Sequence, residues 1–102
     1  MARTVQLRRY ELKPALVEEF LEWWPSTLVP AREALGFQVE FGYFNAATNE
    51  FTWAVSVDGD AAEFERIEQA YLASPEREAA FAGRGPWTDV SDISLVTPLD
   101  WH

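Results

Sequence analysis

The sequence has no cysteine in its 102 residues. That excludes disulfides, thiolate metal sites and cysteine nucleophiles together, and it leaves the redox compartment open. Histidine is almost as scarce: the only one is His102, the last residue, where an imidazole reads as a bystander or tag remnant and not as a catalytic base or haem ligand. Positive charge is short as well, with 8 Lys plus Arg against 17 Asp plus Glu and a formal charge of -9. Such a surface repels a nucleic-acid backbone and an anionic membrane. No run of about eighteen apolar residues exists to cross a bilayer, and the opening MARTVQLRRY carries charge with no apolar segment behind it. The expectation is a soluble, cytoplasmic protein with no metal, no cofactor, no nucleic-acid partner and no membrane partner. Its length makes it one domain, residues 1–102, which buries roughly two thirds of its unfolded surface. A large cavity in so small a domain calls for support from a partner subunit.

What the sequence does have is hydrophobic periodicity that switches between two and 3.6 residues. TVQLRRYEL alternates Val5 and Leu7 against Gln6, Arg8 and Tyr10, a strand period. From Pro14 a helical stripe of Leu16, Phe20, Trp24, Leu28, Ala31 and Leu35 runs to Gly36. FQVEFGYF and EFTWAVSV then alternate about the turn NAATN as a hairpin. Asp60 offers a cap for a helix carrying Phe64, Ile67 and Tyr71, and Ser74 caps a short third helix that starts at Pro75. VSDISLVTPL forms a last strand stopped by Pro98.

The resulting order predicts a ferredoxin-like α+β sandwich: a four-stranded antiparallel sheet in the order 4-1-3-2, with helices on one face. Phe37, Val39, Phe41, Phe51, Trp53, Val55, Ile93 and Leu95 are assigned to the helix face. Gln6, Arg8, Tyr10, Glu40, Thr52, Ala54, Ser56 and Val96 are assigned to the other. Covering that second face with the same face of a second copy would close a barrel of two sheets, so a homodimer is expected.

The stretch EWWPSTLVPA, residues 22–31, places two tryptophans and two prolines in what otherwise reads as one helix. Each proline lacks the N–H that bonds four residues back and crowds that carbonyl, at a cost of about 3 kcal/mol in an unbroken helix. The helix is therefore expected to bend or be interrupted there, with Trp24 on the apolar stripe and Trp23 flanking it. One outcome is a ligand pocket walled by large rings; the other is that the indoles fill the gap the prolines create.

Chemistry-bearing residues are few. DGD at Asp58–Asp60 reads as a solvated turn and helix cap, and GRGPW lacks the Lys and Ser/Thr of a phosphate loop. Arg8, Tyr10 and Glu40 remain as a candidate catalytic set on one sheet face, with Gly42 and Ala54 leaving room between them. Arg8 would stabilise an anion or enolate, Tyr10 donate a hydrogen bond and Glu40 act as base. Trp24, Tyr43 and Trp53 would wall a flat, aromatic or polyketide-like substrate. The competing reading of Arg8 and Glu40 is a structural ion pair at a dimer interface.

QLRRYELKPALVEEFLEWW resembles the opening of the NIPSNAP family, whose first strand carries Glu-x-Arg-x-Tyr followed by Leu-Lys-Pro-Gly and a helix. NEFTW and AYLASPE resemble its later strand and the Tyr-x-x-x-Pro stretch after its second helix. The resemblance implies a dimeric α+β barrel, a fold shared with small-molecule monooxygenases, cyclases, isomerases and haem proteins. Arg8 and Tyr10 fall on the family's Arg and Tyr. Gln6 replaces its Glu, Ala15 its Gly, and Arg77 stands where it often has Trp. Two functions follow as alternatives: a cofactor-independent enzyme acting on a hydrophobic metabolite by proton transfer, cyclisation or oxygenation, or a non-catalytic module that binds a hydrophobic ligand or a protein.

Overall fold

The computed structural model describes residues 3–99, with every side chain in that range except that of Asp89. Four strands, β1 (Arg3–Leu12), β2 (Gln38–Asn45), β3 (Glu50–Asp58) and β4 (Thr88–Val96), pair antiparallel in the order β2-β3-β1-β4. This is the expected 4-1-3-2 arrangement. β3 holds an inner position because it is apolar or small on both faces, and Trp53, Ala54, Val55 and Ser56 are all buried.

The helical layer begins with a 3-10 turn, Pro14–Leu16, that leads into α1 (Val17–Trp23). At the first proline the α-helical ladder stops, as the sequence predicts, and a π-helical turn over Trp24–Leu28 takes its place before α2 (Val29–Ala34). The Val29 N–H reaches back five residues to the Trp24 carbonyl. That wider turn accommodates residues that cannot donate in the ordinary register, and Ser26 Oγ donates to the Glu22 carbonyl at 2.7 Å. α3 (Ala61–Leu72) and α4 (Pro75–Phe81) start as expected. Asp60 accepts from the Glu63 N–H at 2.9 Å and Ser74 Oγ from the Arg77 N–H at 3.1 Å, with Pro75 in the first turn.

The helices cover the sheet face carrying Phe51, Trp53, Val55 and Val57, and Phe20, Trp23, Phe37, Phe64 and Tyr71 pack onto it as the core. Directly opposed residues in an antiparallel pair share a face. The register sets Arg8 opposite Trp53, Tyr10 opposite Phe51 and Gln6 opposite Val55. Arg8, Tyr10 and Gln6 therefore face the helices, and it is Val5, Leu7 and Arg9 that face away, correcting the assignment made from periodicity. The alternation in β1 is amphipathic in both registers, because the residues it offers the helices are an arginine and a tyrosine whose long apolar bodies pack while their polar ends stay reachable.

A second correction lies in β2. Val39 pairs with Val55 and Phe41 with the adjacent Ala54, so Glu40 is the extra residue of a β-bulge. Beyond it the alternation reverses. Phe41 and Tyr43, not Gly42 and Phe44, turn to the face away from the helices, where the two rings stack with centroids 5.2 Å apart.

A cationic aromatic cavity as the candidate functional site

A cavity of about 310 Å³ opens between the helix side of β1 and β4, the ends of α1 and α4, and the loop before β4. Its apolar wall is made by Phe20 and Trp23 of α1, Phe81 of α4 and Trp87 of the loop. Packing of these rings fixes the wall: Trp23 lies 4.9 Å from Trp87 and 5.1 Å from Phe81, and Phe20 lies 5.6 Å from Trp87, centroid to centroid. The Trp23 indole N–H donates to the Ala80 carbonyl at 2.9 Å, tying α1 to α4. The Trp87 carbonyl accepts from the Lys13 N–H at 2.9 Å, which pins the loop to the end of β1. Gly83 and Gly85 in that loop adopt φ of 70° and 76°, the left-handed region that a side chain disfavours.

Polar groups enter from two sides. From the sheet, Arg8 donates from Nε to Tyr10 Oη at 2.7 Å and from Nη1 to Gln6 Oε1 at 2.6 Å. Its guanidinium also lies 5.5 Å from the centre of the Trp53 ring. From the helical side come Arg77, stacked 4.5 Å over Phe81, and Arg84, which pairs with Glu19 at 3.0 Å across the rim.

Of the six residues singled out in the sequence, the cavity brings together two, Arg8 and Tyr10. Glu40 is on the outer sheet face, the face assigned to it, where it accepts from Ser56 Oγ at 2.7 Å and pairs with Arg3 at 3.3 Å; the candidate set is split because Arg8 and Tyr10 lie on the helix side. Tyr43 is on that same outer face and 70 % exposed. Trp53 is completely buried beneath the helices. Trp24 is half-buried at the other end of the core, edge-on to Phe51 at 4.9 Å and Trp53 at 5.7 Å. It lies over Gly42, where an added Cβ would stand 2.5 Å from the indole. The tryptophans have thus exchanged expected roles: Trp23 walls the cavity and Trp24 packs against the hairpin. Trp23, Arg77 and Trp87 escaped the sequence reading. A stripe counted in steps of four, Leu16, Phe20, Trp24 and Leu28, passes over Trp23, and nothing local marks Arg77 or a loop tryptophan as neighbours of β1.

Behind the cavity, Arg32 is buried with its guanidinium 4.1 Å over the Tyr71 ring and 3.0 Å from Glu68. Burial pushes Arg32 down from its ordinary value; Glu68 opposes that shift and the like charge of Arg8 adds to it. Burial likewise raises the Tyr71 phenol, against the pull of Arg32 and Arg77, and its Oη has no hydrogen-bond partner among the described residues. Among the described residues no group of three or more His, Cys, Asp or Glu side chains is placed to hold a metal ion, and no helix is long and apolar enough to cross a membrane.

Neither a protein-family model nor a curated protein matches the sequence. Solved structures do. A NIPSNAP domain protein from Burkholderia xenovorans superposes with a TM-score of 0.81 over 97 % of both chains at 15 % identity. A NIPSNAP family protein of unknown function from Agrobacterium tumefaciens does so with 0.83 over 98 % of this chain and 91 % of its own, at 12 % identity. This chain has the NIPSNAP fold. The same α+β architecture extends to a protein assigned as an antibiotic biosynthesis monooxygenase from Bacteroides thetaiotaomicron, with a TM-score of 0.73 over 96 % of this chain and 90 % of that one at 18 % identity. These likenesses are of fold; within the NIPSNAP fold, chemistry has to be argued from the cavity.

Proposed function

We propose that the cavity binds a flat, hydrophobic small molecule and that the protein is a cofactor-independent cytoplasmic enzyme. It would act on an aromatic or polyketide-like metabolite by proton transfer, cyclisation or oxygenation. The observation that carries this reading is the Arg8–Tyr10 pair, presented from a rigid strand into a cavity walled by Phe20, Trp23 and Trp87. Arg8 would stabilise negative charge developing on a substrate oxygen. Tyr10, whose oxygen already accepts from Arg8, keeps its own O–H free to donate to that substrate. The fold shared with an assigned monooxygenase supports small-molecule chemistry by analogy.

The reading includes a homodimer formed through the sheet face away from the helices. Leu7, Phe41 and Tyr43 lie on that face, with Val90 and Val96 on its edge strand, and Tyr43, Val90 and Val96 are exposed in a single chain. The face is mixed, since Arg9 pairs there with Glu50 and Asp92 and Arg3 with Glu40; a second copy would cover its apolar side chains while these pairs satisfy its charges.

A second reading, a non-catalytic hydrophobic-ligand or interaction module, is favoured by one observation: no Asp, Glu or His of the described residues lines the cavity to serve as a base. The two readings share the binding site and part at turnover. Titration with the neutral fluorophore N-phenyl-1-naphthylamine is expected to saturate at one site per chain. Ser91→Trp, which places a ring at the cavity mouth from the exposed edge of β4, is expected to abolish that binding; unchanged binding in this variant would sink the site. With a flat polycyclic phenol as substrate, product formation that falls about 100-fold in Tyr10→Phe favours the enzyme, and binding without turnover favours the module.

A further inference from the structure

Three of the eight Lys and Arg residues line this one cavity, Arg8, Arg77 and Arg84, whereas none of the seventeen Asp and Glu does so among the described residues. In a chain of charge -9 that is a reversal of sign confined to one concavity. Arg84 has its partner in Glu19 at the rim. Arg8 and Arg77 have no carboxylate partner among the described residues: Arg8 bonds only to neutral Tyr10 and Gln6, and Arg77 rests on the Phe81 ring. Both are partly buried. Holding two guanidinium charges of the same sign against apolar walls without a counter-charge is unfavourable, and low-dielectric walls strengthen the field they produce.

From this we infer that the ligand of the cavity is an anion, a flat aromatic molecule bearing a carboxylate or similarly planar oxyanion held between Arg8 and Arg77. The inference rests on the proposed reading of the cavity as a small-molecule site and adds the charge of the ligand to it. A guanidinium matches a carboxylate edge to edge through paired N–H groups, which an ammonium does not. The rings of Trp23 and Trp87 take the aromatic body. Arg8 enters from β1 and Arg77 from α4, so the anion would bridge the sheet and the helical layer at the cavity's inner end.

The test compares 1-naphthoate with its neutral isostere 1-naphthamide by isothermal titration calorimetry on the full chain. The naphthoate is expected to bind at least 10-fold more tightly at low ionic strength, with an advantage that shrinks as salt is added. Arg77→Gln is expected to bring the ratio of the two affinities close to one, and Arg77→Lys to restore only part of it. Because Arg77 packs on Phe81, the same ratio is measured in the exposed-rim variant Arg84→Gln, where a smaller fall is expected. Equal affinities for acid and amide, insensitive to salt and to both variants, would overturn the anion while leaving the site intact. Failure of both compounds to bind, together with failure of N-phenyl-1-naphthylamine, would overturn the site and the anion with it.

Discussion

Arg8 and Tyr10 stand two residues apart on the helix-facing side of β1, and the guanidinium Nε donates to the phenol oxygen at 2.7 Å. The tyrosine ring is held by edge-on contacts with Phe20 at 6.2 Å and Trp53 at 6.4 Å, so its ring serves packing while its hydroxyl serves the cavity. Tyr10→Phe is accordingly expected to cost less than about 1 kcal/mol of stability, and Tyr10→Ala about 2–4 kcal/mol. Urea unfolding of the two variants checks this. A Phe variant as damaged as the Ala variant would make the hydroxyl a structural group.

Trp23 and Trp24 are neighbours with separate duties. Trp23 is 3 % exposed, bonds Ala80 and walls the cavity, so Trp23→Ala is expected to lose about 3–5 kcal/mol and the binding of N-phenyl-1-naphthylamine together. Trp24→Ala is expected to lose stability alone, with the probe's affinity unchanged in whatever fraction remains folded. Loss of probe binding in the Trp24 variant would return that residue to the pocket.

Gly42 is small because Trp24 lies on it. A methyl there would approach the indole to 2.5 Å and Phe51 to 3.0 Å. Gly42→Ala should destabilise by about 1–3 kcal/mol. The double variant with Trp24→Leu should recover a measurable part of that loss, which a double-mutant cycle reads directly. Additive losses would mean that the two residues do not press on each other.

The Tyr71 hydroxyl is buried without a partner among the described residues, and burial raises its pKa above the ordinary value near 10. A phenol that ionises less readily when folded contributes stability that is fully present below its unfolded pKa and is lost as pH climbs from there through the folded value. Stability should therefore fall above about pH 10 in the wild type and fall less steeply in Tyr71→Phe, which at pH 7 should lie within about 1 kcal/mol of the parent. Identical alkaline limbs would show that another group dominates.

The outer sheet face predicts assembly. Light scattering at micromolar concentration should report a dimer, and Tyr43→Glu, which puts a charge in place of an exposed ring on the β2 edge of that face, should shift it toward monomer without altering the helical signal. A folded monomer in the wild type would sink the dimer.

The fold was legible because its signals are local: Asp60, Ser74 and Pro75 announce two helices, the NAATN turn a hairpin, and the alternation of EFTWAVSV a buried strand. The interruption at Pro25 was legible for the same reason, although its form, a π turn that keeps the chain helical, was not. The site was only half legible. Placing Phe41 and Tyr43 on the helix side required an unbroken alternation in β2, and a bulge carries no side-chain signature of its own. Assigning Arg8 to the outer face followed from treating a charged residue as outward-facing, when its partners Trp53 and Tyr10 draw it in. Arg77 and Trp87 reach the cavity through tertiary packing alone, across more than sixty residues of chain from β1.

The claim that this cavity is the ligand site is tested most directly by the indole N–H signals of Trp23, Trp24, Trp53 and Trp87 in a ¹⁵N-resolved NMR titration with 1-naphthoate. Trp23 and Trp87, which wall the cavity, should shift in a saturable way, with Trp24 and Trp53 moving far less. Shifts centred on Trp24, or on the backbone of the Phe41–Tyr43 segment with the cavity indoles still, would contradict it.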